Sequence, residues 1–147
     1  MNFLFFTYIV FILGSSFIVL SDIKTMHISL LWNYICLCLL IFLYILQGKN
    51  CFFNHISSTI FMFSIFFIVR ILAKKGLGLG DLHYSLTCGI FCGFPNFMLA
   101  SIIFSGLGIL YFLLKKIILK TDIKRIRIPF TPFMFIGSLI ATGIKIN

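Results

Sequence analysis

The chain has 147 residues, 61% of them hydrophobic and only 10% charged, with 20 phenylalanines and a formal net charge of +9. A soluble domain of this length has too little interior to hide so much apolar side chain, so the composition excludes a water-soluble enzyme and points to a polytopic membrane protein. The basic excess, 12 Lys and Arg against 3 acids, would suggest nucleic acid in a soluble chain. Here the bases cluster between apolar runs, which is a topological pattern and implies a bilayer as partner, with no nucleic acid.

The first apolar run, Phe3 to Leu20, carries no charge and at a helical rise is about 27 Å long, enough for the hydrocarbon core. With no basic flank before it and no small-residue cleavage site after it, it is expected to be a retained helix and not a secretory signal. It ends in a short polar loop, Ser21 to His27, that holds Asp22 and Lys24. A second run spans about Ile28 to Leu46 and a third about His55 to Ala73. Then comes Gly76-Leu77-Gly78-Leu79-Gly80-Asp81, alternating glycines that end in a carboxylate between two apolar segments. Glycine at these positions lets another chain approach closely, and an acid beside lipid-soluble segments is a functional-site candidate by default. A shorter run follows, Leu82 to Phe94, with Gly89 and Gly93 on one helix face, then a fifth, Phe97 to Leu114, a basic stretch, Lys115 to Arg127, and a last short segment from Pro132 to about Ile146.

These runs predict an all-α fold of six transmembrane helices in a single domain over residues 1–147. The loops after the first, third and fifth runs hold Lys24; Arg70, Lys74 and Lys75; and Lys115, Lys116, Lys120, Lys124, Arg125 and Arg127, while the opposite side holds Lys49 and Lys145. The positive-inside rule therefore puts these loops in the cytoplasm and both termini outside. Asp22 and Asp81 then fall at one membrane edge.

The third acid, Asp122, sits among Lys and Arg, where a solvated ion pair explains it. Asp22 and Asp81 remain for chemistry. If the first and fourth helices are neighbours, the two carboxyls can share one water and one proton, one acting as general base and the other as general acid, which is aspartyl protease chemistry. Helix ends favour Asp81 as the ionised base, at a helix N-terminus, and Asp22 as the protonated acid, at a helix C-terminus.

Bland readings compete. Asp81 after Gly80 is a natural helix N-cap, and Asp22 alone fits a polar interface residue. Lys24 reads as a topology charge, His27 and His83 as loop or interface residues, and His55 as a polar anchor at the outer edge. A metal site needs more ligands than the chain offers, and no cofactor is expected. The five cysteines form no CxxC pair and read as small packing residues.

Ser21-Asp22-Ile23-Lys24 after a first transmembrane helix, paired with Gly78-Leu79-Gly80-Asp81 before a fourth, resembles the type IV prepilin peptidase family, membrane aspartyl proteases with a GxGD motif. The segment Ile128-Pro129-Phe130-Thr131-Pro132-Phe133, followed by Gly137, resembles that family's C-terminal IPFGP signature, with Thr131 where glycine is usual. The resemblance implies removal of leader peptides from prepilin-like or pseudopilin-like substrates at the cytoplasmic face of the inner membrane, as in type IV pilus and protein secretion systems. Asp22 and Asp81 would carry the chemistry, with Gly78, Gly80, Lys24 and His83 in support. Many bacterial members also methylate the new terminus through a region with paired CxxC motifs. This chain resembles the short form without that region, and methyltransferase activity is not expected.

Two departures stand out. His83 replaces the usual lysine two residues after the aspartate, and Ser29 stands where an Ile-Pro-Asn turn is usual. The imidazole makes a local positive charge pH-dependent. Alternatives are an inactive peptidase that binds pilin-like helices, or a non-enzymatic membrane protein whose acids bind a cation or relay protons.

Overall fold

The structure is a computed structural model that describes residues 3–72, 78–119 and 129–144. The described residues form six α-helices: α1 (Phe3–Thr25), α2 (Leu30–Gln47), α3 (Lys49–Leu72), α4 (Leu79–Cys92), α5 (Asn96–Leu119) and α6 (Thr131–Gly143). Four of them, α1, α2, α3 and α5, are long and apolar enough to cross a membrane; α6 is a shorter apolar helix and α4 has 14 residues. Gly76, Leu77, Lys74, Lys75, Asp122, Lys145 and the basic stretch from Lys120 onward lie outside the described residues.

Large apolar side chains cover the outer surface, among them Leu4, Phe5, Leu72, Ile102, Ile117 and Ile118. In water this would be an aggregation surface, whereas in lipid it is the expected exterior. Between the helices an apolar core that includes Phe11, Leu40, Met62 and Phe91 is interrupted by a few small and polar contacts. Gly89 of α4 lies so close to α3 that a Cβ there would stand 2.8 Å from the Thr59 Cα, the close approach that small residues allow between membrane helices. Ser58 Oγ donates to the Gly89 carbonyl at 2.9 Å, and Thr87 Oγ1 donates to Asn33 Oδ1 at 2.8 Å, tying α4 to α3 and α2. Of the expected glycine pair, Gly89 is thus the close-packing position. Gly93 instead ends α4 with a φ of +67°, a conformation that glycine adopts without steric cost.

The helix α4 is the centre of the bundle. It packs against α2, α3, α5 and α6, while α1 packs against α2 and α6. The helices α1 and α4 meet through side chains: the Phe11 and Phe91 rings stack with centroids 3.7 Å apart. The start of α1 thus lies beside the end of α4, so the two run antiparallel. The same end is held by Tyr8, whose hydroxyl donates to the Thr142 carbonyl at 3.0 Å, and by His55, which stacks on Tyr44 and bonds the Ile90 carbonyl at 2.6 Å. His55 is therefore an anchor at the end remote from Asp22 and Asp81.

Several helix ends differ from the hydropathy reading, among them that of α5, which runs past Leu114 to Leu119 and takes in Lys115 and Lys116. The helix α1 continues through the polar residues to Thr25, so Asp22 sits inside its last helical turn and not in a loop. Likewise α3 begins at Lys49, well before the apolar run starts. Backbone hydrogen bonding propagates a helix without regard to side-chain polarity, so hydropathy marks where lipid ends and not where the helix ends.

A candidate active site at one end of the bundle

At the end of α1 the Ser21 hydroxyl donates to the His27 carbonyl at 3.0 Å, and the Thr25 hydroxyl donates to the Ser21 carbonyl at 2.8 Å. Met26 takes a φ of +54°, and its N–H donates to the Asp22 carbonyl at 2.9 Å. A left-handed residue just past a helix is a common terminator, although glycine is its usual occupant. These bonds turn the chain sharply, so that residues 26–29 run directly from Asp22 towards α2.

Gly80 brings α4 up to that connection. A Cβ on Gly80 would lie 2.8 Å from Ile28 Cβ, a distance that real side chains do not tolerate. The cap of α4 is Gly78, so Asp81 is the third helical residue and not the N-cap expected from sequence. From that position an acid reaches back to the cap backbone, as in a capping box, and the Gly78 N–H donates to the Asp81 carboxyl. A cap role and a chemical role are therefore both open to this one carboxyl.

Asp22, Met26, His27, Ile28, Leu30, Gly78, Leu79, Gly80 and Asp81 enclose a cleft of about 350 Å³. Asp22 is buried, and its Oδ2 has no hydrogen-bond partner among the described residues. A buried carboxylate oxygen left unpaired costs free energy unless water or a ligand meets it. Asp81 is partly buried, and its Oδ1 accepts from Thr131 Oγ1 at 3.4 Å. Asp81 lies outside the four long spans. Burial, and after it the Asp22 charge, push its carboxyl up to about 6, against lesser downward pulls from the Thr131 hydroxyl and the Gly78 N–H. Desolvation thus outweighs the helix N-terminus, which alone favours the charged form.

The structure brings together four of the six sequence-predicted site residues, Asp22, Asp81, Gly78 and Gly80. Lys24 is exposed on the last turn of α1 and does not line the cleft. His83 also stays off the lining: its Nδ1 pairs with the Tyr34 hydroxyl of α2 at 2.9 Å. Sequence reasoning passed over His27 and Ile28 as cleft walls and Thr131 as a partner of Asp81. Among the described residues no group of three or more His, Cys, Asp or Glu is placed to hold a metal ion.

The fold and the site together define a helical protein with several membrane-length spans and a two-carboxyl cleft at one end. Residues 9–113 match the type IV leader peptidase family, and the chain belongs to that family. The match takes in both aspartates and ends before α6, so the likeness at residues 128–137 rests on its own residues. No curated protein and no solved structure matches the chain.

Proposed function

We propose that the protein is an aspartyl endopeptidase that removes the leader from prepilin-like or pseudopilin-like substrates at the cytoplasmic face of the inner membrane. The observation that carries this reading is the convergence of Asp22 and Asp81, far apart in sequence, on one cleft in a chain of the leader peptidase family. The distribution of Lys and Arg supports six membrane crossings with both termini outside, which turns the cleft end of the bundle to the cytoplasm.

Two carboxyls in one small cleft ionise one at a time, so at working pH the pair holds a single proton. We take Asp81, whose carboxyl is pushed up to about 6, as its holder, the reverse of the split that helix ends alone suggest. Asp22, with Oδ2 unpaired, takes a proton from a water as that water attacks the scissile carbonyl. Asp81 gives its proton to the carbonyl oxygen, forming a neutral tetrahedral diol. In the collapse one hydroxyl proton returns to Asp81, Asp22 protonates the leaving nitrogen, the C–N bond breaks, and the pair is again singly protonated. Gly78 and Gly80 keep the backbone close enough for the acids to face one space. Lys24 and His83 lie off the cleft lining.

The test is co-expression with a leader-bearing pilin-like substrate, with the product identified by its mass. A new N-terminus at the junction of basic leader and apolar helix is expected. Intact substrate in membranes that contain the folded protein would contradict the reading.

A further inference from the structure

Thr131 is completely buried at the first position of α6, where its hydroxyl donates to Asp81 Oδ1 across 50 residues of sequence. It is presented by an anchored element. Pro132 follows it in the first turn, a position where the fixed φ of proline suits a helix start. Phe130 precedes it, with its ring edge-to-face against Phe104 at 5.8 Å and beside Phe66 at 6.3 Å. Gly108 of α5 makes room for the same ring: a Cβ there would come within 2.9 Å of it. The other carboxyl oxygen, Oδ2, lies on the Gly78 side, 2.9 Å from where a Cβ on that glycine would stand. Asp81 is thus met at one oxygen by the Thr131 hydroxyl of α6, while its other oxygen lies against its own helix cap.

We propose that Thr131 is a positioning residue for the acid pair: its hydroxyl holds the plane of the Asp81 carboxyl and biases the pair toward releasing its shared proton. A hydroxyl that donates to a carboxylate stabilises the charged form, and a methyl group in its place leaves that charge less well solvated. Among the described residues the groups that bear on Asp81 are few. Asp22 of α1 is the charge that acts on it, and His27 shares the cleft. His83, on the same helix, pairs with Tyr34 of α2. Arg70 of α3 and Lys115 of α5 do not line the cleft, and α6 carries no ionisable residue. The hydroxyl therefore acts against burial and Asp22, both of which favour the proton.

The activity consequence rests on the peptidase reading; the titration consequence does not. The experiment uses full-length protein in lipid nanodiscs as wild type, Thr131→Val, Thr131→Ala and Thr131→Ser. Leader removal is followed against pH, and the Asp81 carboxyl is titrated by infrared spectroscopy with Asp81→Asn as the blank. Val and Ala are expected to move both the alkaline limb of activity and the carboxyl titration to higher pH, by about half a unit or more. Ser is expected to track wild type. Titrations of Val and Ala that coincide with wild type, or Ser moving with Val, would overturn the inference. The alanine variant serves if the valine variant does not fold. Wild type that cleaves nothing while the Val titration still moves would end the peptidase reading and leave the Thr131 inference standing. Cleavage with unmoved titrations would do the reverse.

Discussion

Gly80 and Ile28 stand in contact too close for any larger residue at position 80: a Cβ there would meet Ile28 Cβ at 2.8 Å, Cδ1 at 3.0 Å and Cγ1 at 3.1 Å. This contact seats the first turn of α4, and with it Asp81, against the connection that leads out of Asp22. The carboxyls are thus brought to one cleft by a glycine from one side and a turn from the other.

Gly80→Ala is expected to push α4 away from the connection and to lower leader removal by about tenfold or more, the scale on which displacement of a catalytic group acts. Ile28→Gly in the same chain removes the obstructing Cβ and should restore part of the rate. A double variant no faster than Gly80→Ala would mean that the contact does not seat the acids.

The pH dependence of stability follows from Asp81. Its value in the folded protein is raised from 3.8 to about 6, so folding favours the protonated carboxyl. That contribution is complete below about 3.8 and is lost as pH rises through about 6. Asp81→Asn should therefore be more stable than wild type at mildly alkaline pH, by about 1 to 3 kcal/mol, and no more stable in acid. Thermal denaturation in detergent at both pH values measures this. A variant less stable than wild type at alkaline pH would show that the charged carboxyl is well satisfied.

For the singly protonated pair to be the active form, turnover must be bell-shaped in pH. It should fall on the alkaline side as Asp81 loses the shared proton near 6, and on the acid side as the pair takes up a second. A rate that rises monotonically with pH would exclude the shared proton.

Gly89 tests the packing of the central helix. A side chain there meets backbone, 2.8 Å from the Thr59 Cα and 3.3 Å from the Ser58 carbonyl oxygen, so α3 and α4 must separate to admit it. Gly89→Ala is expected to destabilise by about 1–3 kcal/mol, as overpacking does. Gly106→Ala, with nothing within 4 Å, should be neutral or mildly stabilising. Equal melting temperatures for the two variants would contradict this packing.

How far the residues foretell this molecule depends on the range over which each feature is encoded. Six helices are legible because apolar runs are local, and the placing of Asp22 and Asp81 at one end of the bundle follows from their positions at the ends of such runs. The continuation of α1 to Thr25 is not, since Ser21, Asp22, Lys24 and Thr25 are as polar as a loop and only the backbone bonds make them helical. Asp81 reads as a cap because it follows Gly80, yet the helix begins two residues earlier, at Leu79, and places the acid at its third position. The bond from Thr131 to Asp81 and the contact of Gly80 with Ile28 join residues about 50 apart, and no local pattern announces either. His83 looks chemical beside Asp81, but its ring is turned to Tyr34.

The central claim is most directly tested by leader removal in liposomes with Asp22→Asn, Asp81→Asn and the double variant, each first shown to be folded. Asparagine keeps the shape and most of the hydrogen bonding of aspartate and cannot take or share the proton, so all three variants should be inactive to the same floor. Cleavage that survives either single substitution would contradict a mechanism in which the two carboxyls work as one acid–base unit.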